Sequence, residues 1–287
     1  MEMKSNQSLL ITGAGGILGN AFVRQQTRLQ KLFPKITFSR RSKLDLTNRR
    51  QTAYFLNHLV PDVIINCAAM TIVEDCEKLP DQAYEINTQL PQLLANWTAR
   101  NHKKLIHYST DAVFDGKKGN YTEIDRPNPL NIYAKSKFKG EQSILKTDPN
   151  ALILRTNLIG IRGRKPYPLA EWMLRKLETK DEFTTFTDVF FAPLCVDDLV
   201  KFTLVALNKN LCGLYHLNAK DFATKHQFAL LLAKEFEYLS PKLKPVESSK
   251  ILTVTRPQKT YLNSQKFAQA ADVSLPTIRQ SIHSLRK

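Results

Sequence analysis

The chain has 287 residues, 43% of them hydrophobic, which is enough for a packed core and excludes wholesale disorder. Lys and Arg number 42 against 26 Asp and Glu, and the resulting net charge of +16 favours anionic partners through long-range attraction. The basic residues are spread along the chain with no basic–aromatic run, which argues against a nucleic-acid module, and no apolar run approaches the ~20 residues of a membrane span.

The polar stretch Met1 to Ser8 leads into only three apolar residues, Leu9-Leu10-Ile11, too few for a signal-peptide core. Cys67, Cys76, Cys195 and Cys212 have neither C-x-x-C nor zinc spacing, so no metal site is expected and the thiols read as reduced. A cytoplasmic protein is expected.

In chain order, Leu9 to Thr12 reads as a strand, Ile17 to Lys31 as a helix and Lys35 to Ser39 as a second strand. A helix at Arg49 to Leu59 follows, then a strand at Asp62 to Ala68, a long helix at Gln82 to Asn101 and a strand at Lys104 to Ser109. The periodicity next predicts a helix at Ile132 to Leu145 and a strand at Ala151 to Leu154. Strands alternating with helices imply a doubly wound parallel α/β sheet. Beyond the loop Gly160 to Pro168, helices are expected at Leu169 to Leu177, Val196 to Leu207 and Thr224 to Tyr238, with a strand at Gly213 to Leu217. Two short helices, near Ser264 to Ala271 and Leu275 to Leu285, end the chain. The expected division is a dinucleotide-binding domain at 1–160, its sheet completed by part of 190–217, and a smaller, interleaved substrate-binding domain at 161–287.

Gly13, Gly16 and Gly19, three apart, stand between the first strand and the first helix. The first allows a tight turn, the second a close approach of backbone to a pyrophosphate, and the third close packing of helix on sheet. Ile17 and Leu18 open the helix whose exposed N–H groups and dipole would face the phosphates. After the second strand comes Ser39-Arg40-Arg41, where a carboxylate would hold the ribose 2′-OH of NAD. Guanidinium groups there suit a 2′-phosphate instead, so NADP is expected, with NAD still possible. Asp45, followed by Leu46, either accepts a hydrogen bond from the adenine amino group or caps the next helix.

Tyr133 and Lys137 form Tyr-x-x-x-Lys and share one face of a helix. A Lys ammonium there is expected to lower the phenol pKa toward the working range of an acid–base catalyst, and to hold a nicotinamide ribose. Thr110 follows the strand Lys104 to Ser109, where open α/β sheets place their sites, and its hydroxyl can bind the carbonyl oxygen that Tyr133 protonates. His107 reads as a packing residue. For an anionic substrate the candidate cations are Arg256, before Pro257 in the tail, and, more weakly, Arg162, Arg164 and Lys165.

These segments resemble the dTDP-4-dehydrorhamnose reductase family of extended short-chain reductases. The matching stretches are Ile11 to Gly19, Asp62 to Ala69 (DVIINCAA), His107 to Gly116 (HYSTDAVFDG), Pro129 to Glu141 (PLNIYAKSKFKGE), Arg155-Thr156 and Arg256-Pro257, and the likeness covers nearly the whole chain. The resemblance implies a Rossmann sheet of the extended type and NADPH-dependent reduction of the 4-keto group of dTDP-4-dehydro-L-rhamnose. It gives Thr110, Tyr133 and Lys137 the catalytic roles and places Ala68, Ala69, Asn87 and Ser109 along the cofactor. It places Thr71 and Val73, in the stretch Met70 to Glu74, with Ala112, Asn157 and Tyr133 about the sugar. The expected assembly is a monomer or homodimer.

The chain departs from the family at Ala112, where a Tyr is usual, at Asn157-Leu158-Ile159, where an aromatic is common, and in the basic loop Arg162-Gly163-Arg164-Lys165. A nucleotide-sugar epimerase or dehydratase shares the same frame, although Ala112 stands where a dehydratase would carry a Glu beside Asp111. A non-catalytic regulatory subunit, such as that of methionine adenosyltransferase, is similar too, but the intact Thr, Tyr and Lys weigh against it.

Overall fold

The computed structural model describes residues 7–40 and 44–286. Six strands form a parallel sheet: β1 (Ser8–Thr12), β2 (Lys35–Phe38), β3 (Val63–Asn66), β4 (Lys104–Thr110), β5 (Leu152–Thr156) and β6 (Gly213–His216). Their spatial order is β6-β5-β4-β3-β1-β2. The register pairs Leu10 with Thr37 on one side of β1 and with Ile64 on the other. The chain therefore leaves β1 toward one edge and returns on its other side with β3. That reversal opens a crevice at the carboxyl ends of the strands, the usual ligand position in open α/β sheets.

Alternate residues of each strand enter two separate cores. Leu9, Ile11, Val63, Ile65, Ile106, Tyr108, Leu152 and Leu154 face the helices α1 (Ile17–Arg24) and α6 (Val196–Asn208). Leu10, Ile64, Leu105 and Ile153 face α2 (Arg49–Leu59), α3 (Leu90–Arg100) and α4 (Ile132–Thr147). Burial on both faces explains why these strands read as continuous apolar runs in the sequence. The first core continues into the C-terminal part, through α5 (Leu169–Glu178), α7 (Lys225–Glu235) and the helices Gln265–Ala271 and Ile278–His283.

Two expected helices are interrupted. The first ends at Arg24 and resumes at Gln26–Gln30, because Gln25 leaves helical geometry (φ −92, ψ 15). The long helix at 82–101 is instead Pro80–Tyr84, a π-helical turn at Glu85–Gln89, and α3. That turn carries Asn87 against α4, where a Cβ on Gly140 would stand 2.2 Å from the Asn87 carbonyl oxygen. Three small strand pairs escape sequence periodicity: Phe183–Phe186 with Leu243–Val246, Phe190–Phe191 with Ala223–Thr224, and Leu158–Ile159 with Leu194–Cys195. Among the described residues no helix is long and apolar enough to cross a membrane.

Candidate active site

The crevice begins at the glycine turn. Gly13 has φ +66, and a Cβ on it would lie 2.6 Å from the Ala68 nitrogen, so only glycine allows β1 and the end of β3 to approach so closely. A Cβ on Gly19 would stand 2.2 Å from the Gly13 carbonyl oxygen, which is why helix and turn can pack together. Gly16 donates its N–H to the Gly13 carbonyl at 2.9 Å and starts α1, with Ile17 and Leu18 in its first turn.

Beside this turn, the Ser39 carbonyl accepts the Ala14 N–H at 3.0 Å, holding the end of β2 against the loop. The buried Ser39 and Ser109 hydroxyls have no hydrogen-bond partner, and each lies at the carboxyl end of its strand. Buried hydroxyls are normally satisfied, so these two fit a ligand that supplies the missing groups. Arg40 is exposed after Ser39, while Arg41 lies outside the described residues. Asp45 accepts from the backbone and hydroxyl of Thr47, at 3.0 and 2.7 Å. The cap of the next helix is Asn48, bonded to the Gln51 N–H at 3.0 Å, so the capping alternative for Asp45 is corrected. Leu46 packs on the second core.

The expected basic loop approaches this same place. The buried Glu171 carboxylate accepts the Arg162 and Gly163 N–H groups, at 2.6 and 3.1 Å. Thus anchored, the loop brings the Arg164 guanidinium to 3.2 Å from the Gly15 carbonyl oxygen, at the rim of the glycine turn. Its position points to the cofactor side, which spacing alone did not reveal.

Thr110 ends β4, and its Oγ1 accepts the Ala112 N–H at 3.1 Å while donating to Asp111 at 3.2 Å. Tyr133 and Lys137 lie on α4, whose start is fixed twice. Asn131 caps it through the Ala134 N–H at 3.0 Å, and Glu77 accepts the Ile132 N–H at 2.7 Å. Burial pushes the Tyr133 phenol up to about 12, with the Thr110 hydroxyl acting in the opposite sense. The expected lowering by Lys137 is not found. The Lys137 side chain, 3% exposed, turns its nitrogen to the Tyr108 carbonyl oxygen at 2.6 Å and to His107 Nε2 at 3.2 Å. Tyr133 thus remains a protonated donor across the physiological range.

Around this set, Ala68 and Ala69 line the end of β3, where the Ala68 N–H reaches Asn66 Oδ1 at 3.2 Å. Asn87 is fully buried. Its amide brackets the Met70 backbone, with both bonds at 2.9 Å, and reaches the Ser136 hydroxyl at 3.0 Å, so it fixes the loop that leads to Thr71 and Val73. Thr71 is exposed and Val73 begins a short helix, Val73–Lys78. Ala112 sits in the 3₁₀ turn after Thr110. Asn157 donates to Asp111 Oδ2 at 2.9 Å, and Thr260 donates to the same oxygen at 2.7 Å. Burial raises the Asp111 pKa against these bonds. Arg256 forms an ion pair with Glu74, tying the tail to the short helix after β3. The roles of Asp111, Thr260 and the His107 contact were not legible, because each depends on partners distant in sequence.

Residues 7–287 match the family described as the RmlD substrate binding domain. The chain belongs to this family. It is 31% identical over 281 residues to the dTDP-4-dehydrorhamnose reductase of Salmonella typhimurium, covering 94% of this chain and 93% of that one. It is 29% identical over 293 residues to the probable low-salt glycan biosynthesis reductase Agl14 of Haloferax volcanii, with 96% of each covered. A crystal structure of dTDP-4-dehydrorhamnose reductase from Bacillus anthracis, in complex with NADP, superposes with a TM-score of 0.90 at 27% identity, covering 98% of this chain and 99% of that one. The fold is therefore the Rossmann type of the extended short-chain reductases, as the sequence implied.

Proposed function

We propose that the chain is an NADPH-dependent ketoreductase acting on C4 of a nucleotide-linked deoxysugar, with dTDP-4-dehydro-L-rhamnose as the favoured substrate. The observation that carries this is the meeting of Thr110, the protonated Tyr133 and Lys137 beside a glycine cradle with two unpartnered hydroxyls. Bound NADPH would supply the hydride. Gly13, Gly16 and the first turn of α1 would hold its diphosphate, Arg40 its 2′-phosphate, and Ser39 and Ser109 would find partners on it. Thr110 would bind the ketone oxygen and Tyr133 would donate a proton to it, completing the alcohol. Arg256 pairs with Glu74 at the surface, where such pairs contribute little, and this leaves it available to the substrate diphosphate.

The division into a dinucleotide-binding part and a substrate-binding part after residue 160 belongs to this reading, as does a cytoplasmic location. Oxidation of NADPH across a panel of nucleotide-linked 4-keto sugars tests it. Turnover to the 4-hydroxy sugar is expected. No turnover with any member, or an epimer without net NADPH oxidation, would overturn it.

A further inference from the structure

A buried chain of polar side chains runs behind Lys137. Thr12 Oγ1 donates to Asn66 Oδ1 at 2.6 Å, and the Ala68 N–H donates to the same oxygen at 3.2 Å. Asn66 Nδ2 lies 3.0 Å from His107 Nδ1, and His107 Nε2 lies 3.2 Å from Lys137 Nζ. Thr12, Asn66, His107 and Lys137 are each at most 3% exposed.

Donor and acceptor accounting fixes the protons. The Ala68 N–H can only donate, so the Asn66 oxygen faces it and the Asn66 NH₂ faces His107. His107 Nδ1 must then accept. Burial holds the His107 pKa well below its ordinary 6.5, with Lys137 adding to the effect, so the ring is neutral and carries its one proton on Nε2. That N–H points at Lys137. An ammonium has three donors and no acceptor and would meet it proton to proton. A free amine accepts from Nε2–H and still donates to the Tyr108 carbonyl. At His216 the same accounting closes without conflict, since Nδ1–H faces the Tyr121 carbonyl oxygen at 3.0 Å and Nε2 accepts from Arg155 at 3.3 Å.

We propose that His107 is a positioning residue for Lys137: fixed by Asn66 as the Nε2–H tautomer, it presents a donor to the Lys137 nitrogen and so favours the free amine over the ammonium. The other hydrogen-bond partner of Lys137, the Tyr108 carbonyl oxygen, can only accept. Glu141, one turn along α4, and Cys67, beyond β3, both favour the cation, and Tyr133 lies one turn before it. Burial is the largest influence and, against these two, brings Lys137 from 10.5 down to about 8. The ammonium form is the one that stabilises the phenolate left when Tyr133 gives up its proton. The alkaline fall of kcat/KM therefore follows Lys137, while Tyr133, at about 12, remains protonated.

The inference about turnover rests on the reductase reading, but the tautomer does not. Nitrogen-15 NMR of the histidine side chains in the ligand-free protein, with the His107 signals assigned by H107Q, reports it directly. A protonated Nε2 with a bare Nδ1 is expected, and a proton on Nδ1 would overturn the proposal even if Asn66→Asp does not fold. In Asn66→Asp the carboxylate accepts from Nδ1–H, the ring turns a bare Nε2 to Lys137, and the ammonium is favoured. The tautomer should invert, and the alkaline inflection of kcat/KM should rise by about one pH unit or more, a tenfold change in proton affinity. A folded N66D with lower kcat at every pH and an unmoved inflection would show a merely structural role and overturn it. Absence of any wild-type turnover would count against the reductase reading alone, leaving the tautomer to decide this one.

Discussion

Glu141→Gln should unsettle both stability and chemistry. Glu141 and Arg155 are 2% and 3% exposed, and they meet in a fork, with Arg155 Nε 3.0 Å from Oε1 and Nη2 2.7 Å from Oε2. The guanidinium also reaches His216 and lies 5.1 Å from the centre of the Phe114 ring. His216 cannot share the charge, because burial first and Arg155 second drive its pKa down to about 3. Gln has nearly the same shape but leaves a buried cation without its counter-ion. Removing one partner of such a pair costs about 3–5 kcal/mol, and for a chain of this size that lowers Tm by roughly 5–8 °C. Tyr133, Lys137 and Glu141 are spaced at i, i+4 and i+8 on α4, so the pair also pins the catalytic face of the helix to β5. kcat should fall along with stability. Denaturant unfolding with an unchanged m-value measures the loss. Replacing both partners by apolar residues, E141L with R155M, should recover most of it, since the cost lies in the orphaned charge. A loss below about 1 kcal/mol in E141Q would refute the reasoning, because it would mean that water compensates Arg155.

Tyr133→Phe removes the proton donor and keeps the ring, so turnover should drop by about 10²–10⁴-fold with little change in cofactor affinity, as steady-state kinetics beside a cofactor titration will show. Arg40→Ala should weaken NADPH more than NADH, since only the former carries the 2′-phosphate; equal losses in fluorescence titrations would refute that role. Arg164→Ala should weaken both cofactors alike, by about tenfold for the loss of one charge-assisted contact, and leave the KM of the sugar nucleotide unchanged. A raised KM with unaltered cofactor affinity would move Arg164 to the substrate side.

The parts legible in the sequence are those with local causes. The glycine turn is read from three residues within seven positions, and its strand from an apolar run buried on both faces. Tyr133 and Lys137 needed only helical spacing, and Thr110 only its place at the end of a strand. The break in the first helix was not legible, but the π-turn at Glu85–Gln89 had a signal in Pro91, which offers no N–H to the Asn87 carbonyl four residues before it; the contacts of Asn87 and Thr88 with Ser136 on another helix were not visible. Such turns are frequent at functional sites, and here the turn directs an amide at the Met70 backbone. The two- and four-residue strands outside the main sheet are too short for periodicity to mark. The electrostatics failed for a related reason. Helical spacing brings Lys137 onto the face of Tyr133, yet the direction of its nitrogen is set by β4, through the Tyr108 carbonyl and His107.

The same division separates reaction from specificity. Thr110, Tyr133 and Lys137 stand in two segments, 110–116 and 129–141, whose pattern resembles the family closely, and in the proposed reaction they would perform steps that any 4-keto substrate needs. The departures at Ala112 and Asn157 converge from one side on Asp111. Asn157 stands where an aromatic is common, but it supplies no stacking face, and one amide N–H is bound to Asp111 at 2.9 Å. Thr260, 149 residues from Asp111, completes the hold on that carboxylate. Lys225 lies 3.1 Å from the centre of the Phe191 ring, and burial, opposed by Asp111, brings it down to about 7. A region that a family-like sequence would line with rings is thus organised around a buried acid with polar partners and a nearby amine. Stacking accepts many sugars of similar shape, whereas hydrogen-bonded groups reject those that leave them unpaired. On the proposed reading, the choice of sugar would depend on the long-range contacts that Asn157 and Thr260 make to Asp111, while the chemistry would be carried by the local motifs at 110–116 and 129–141.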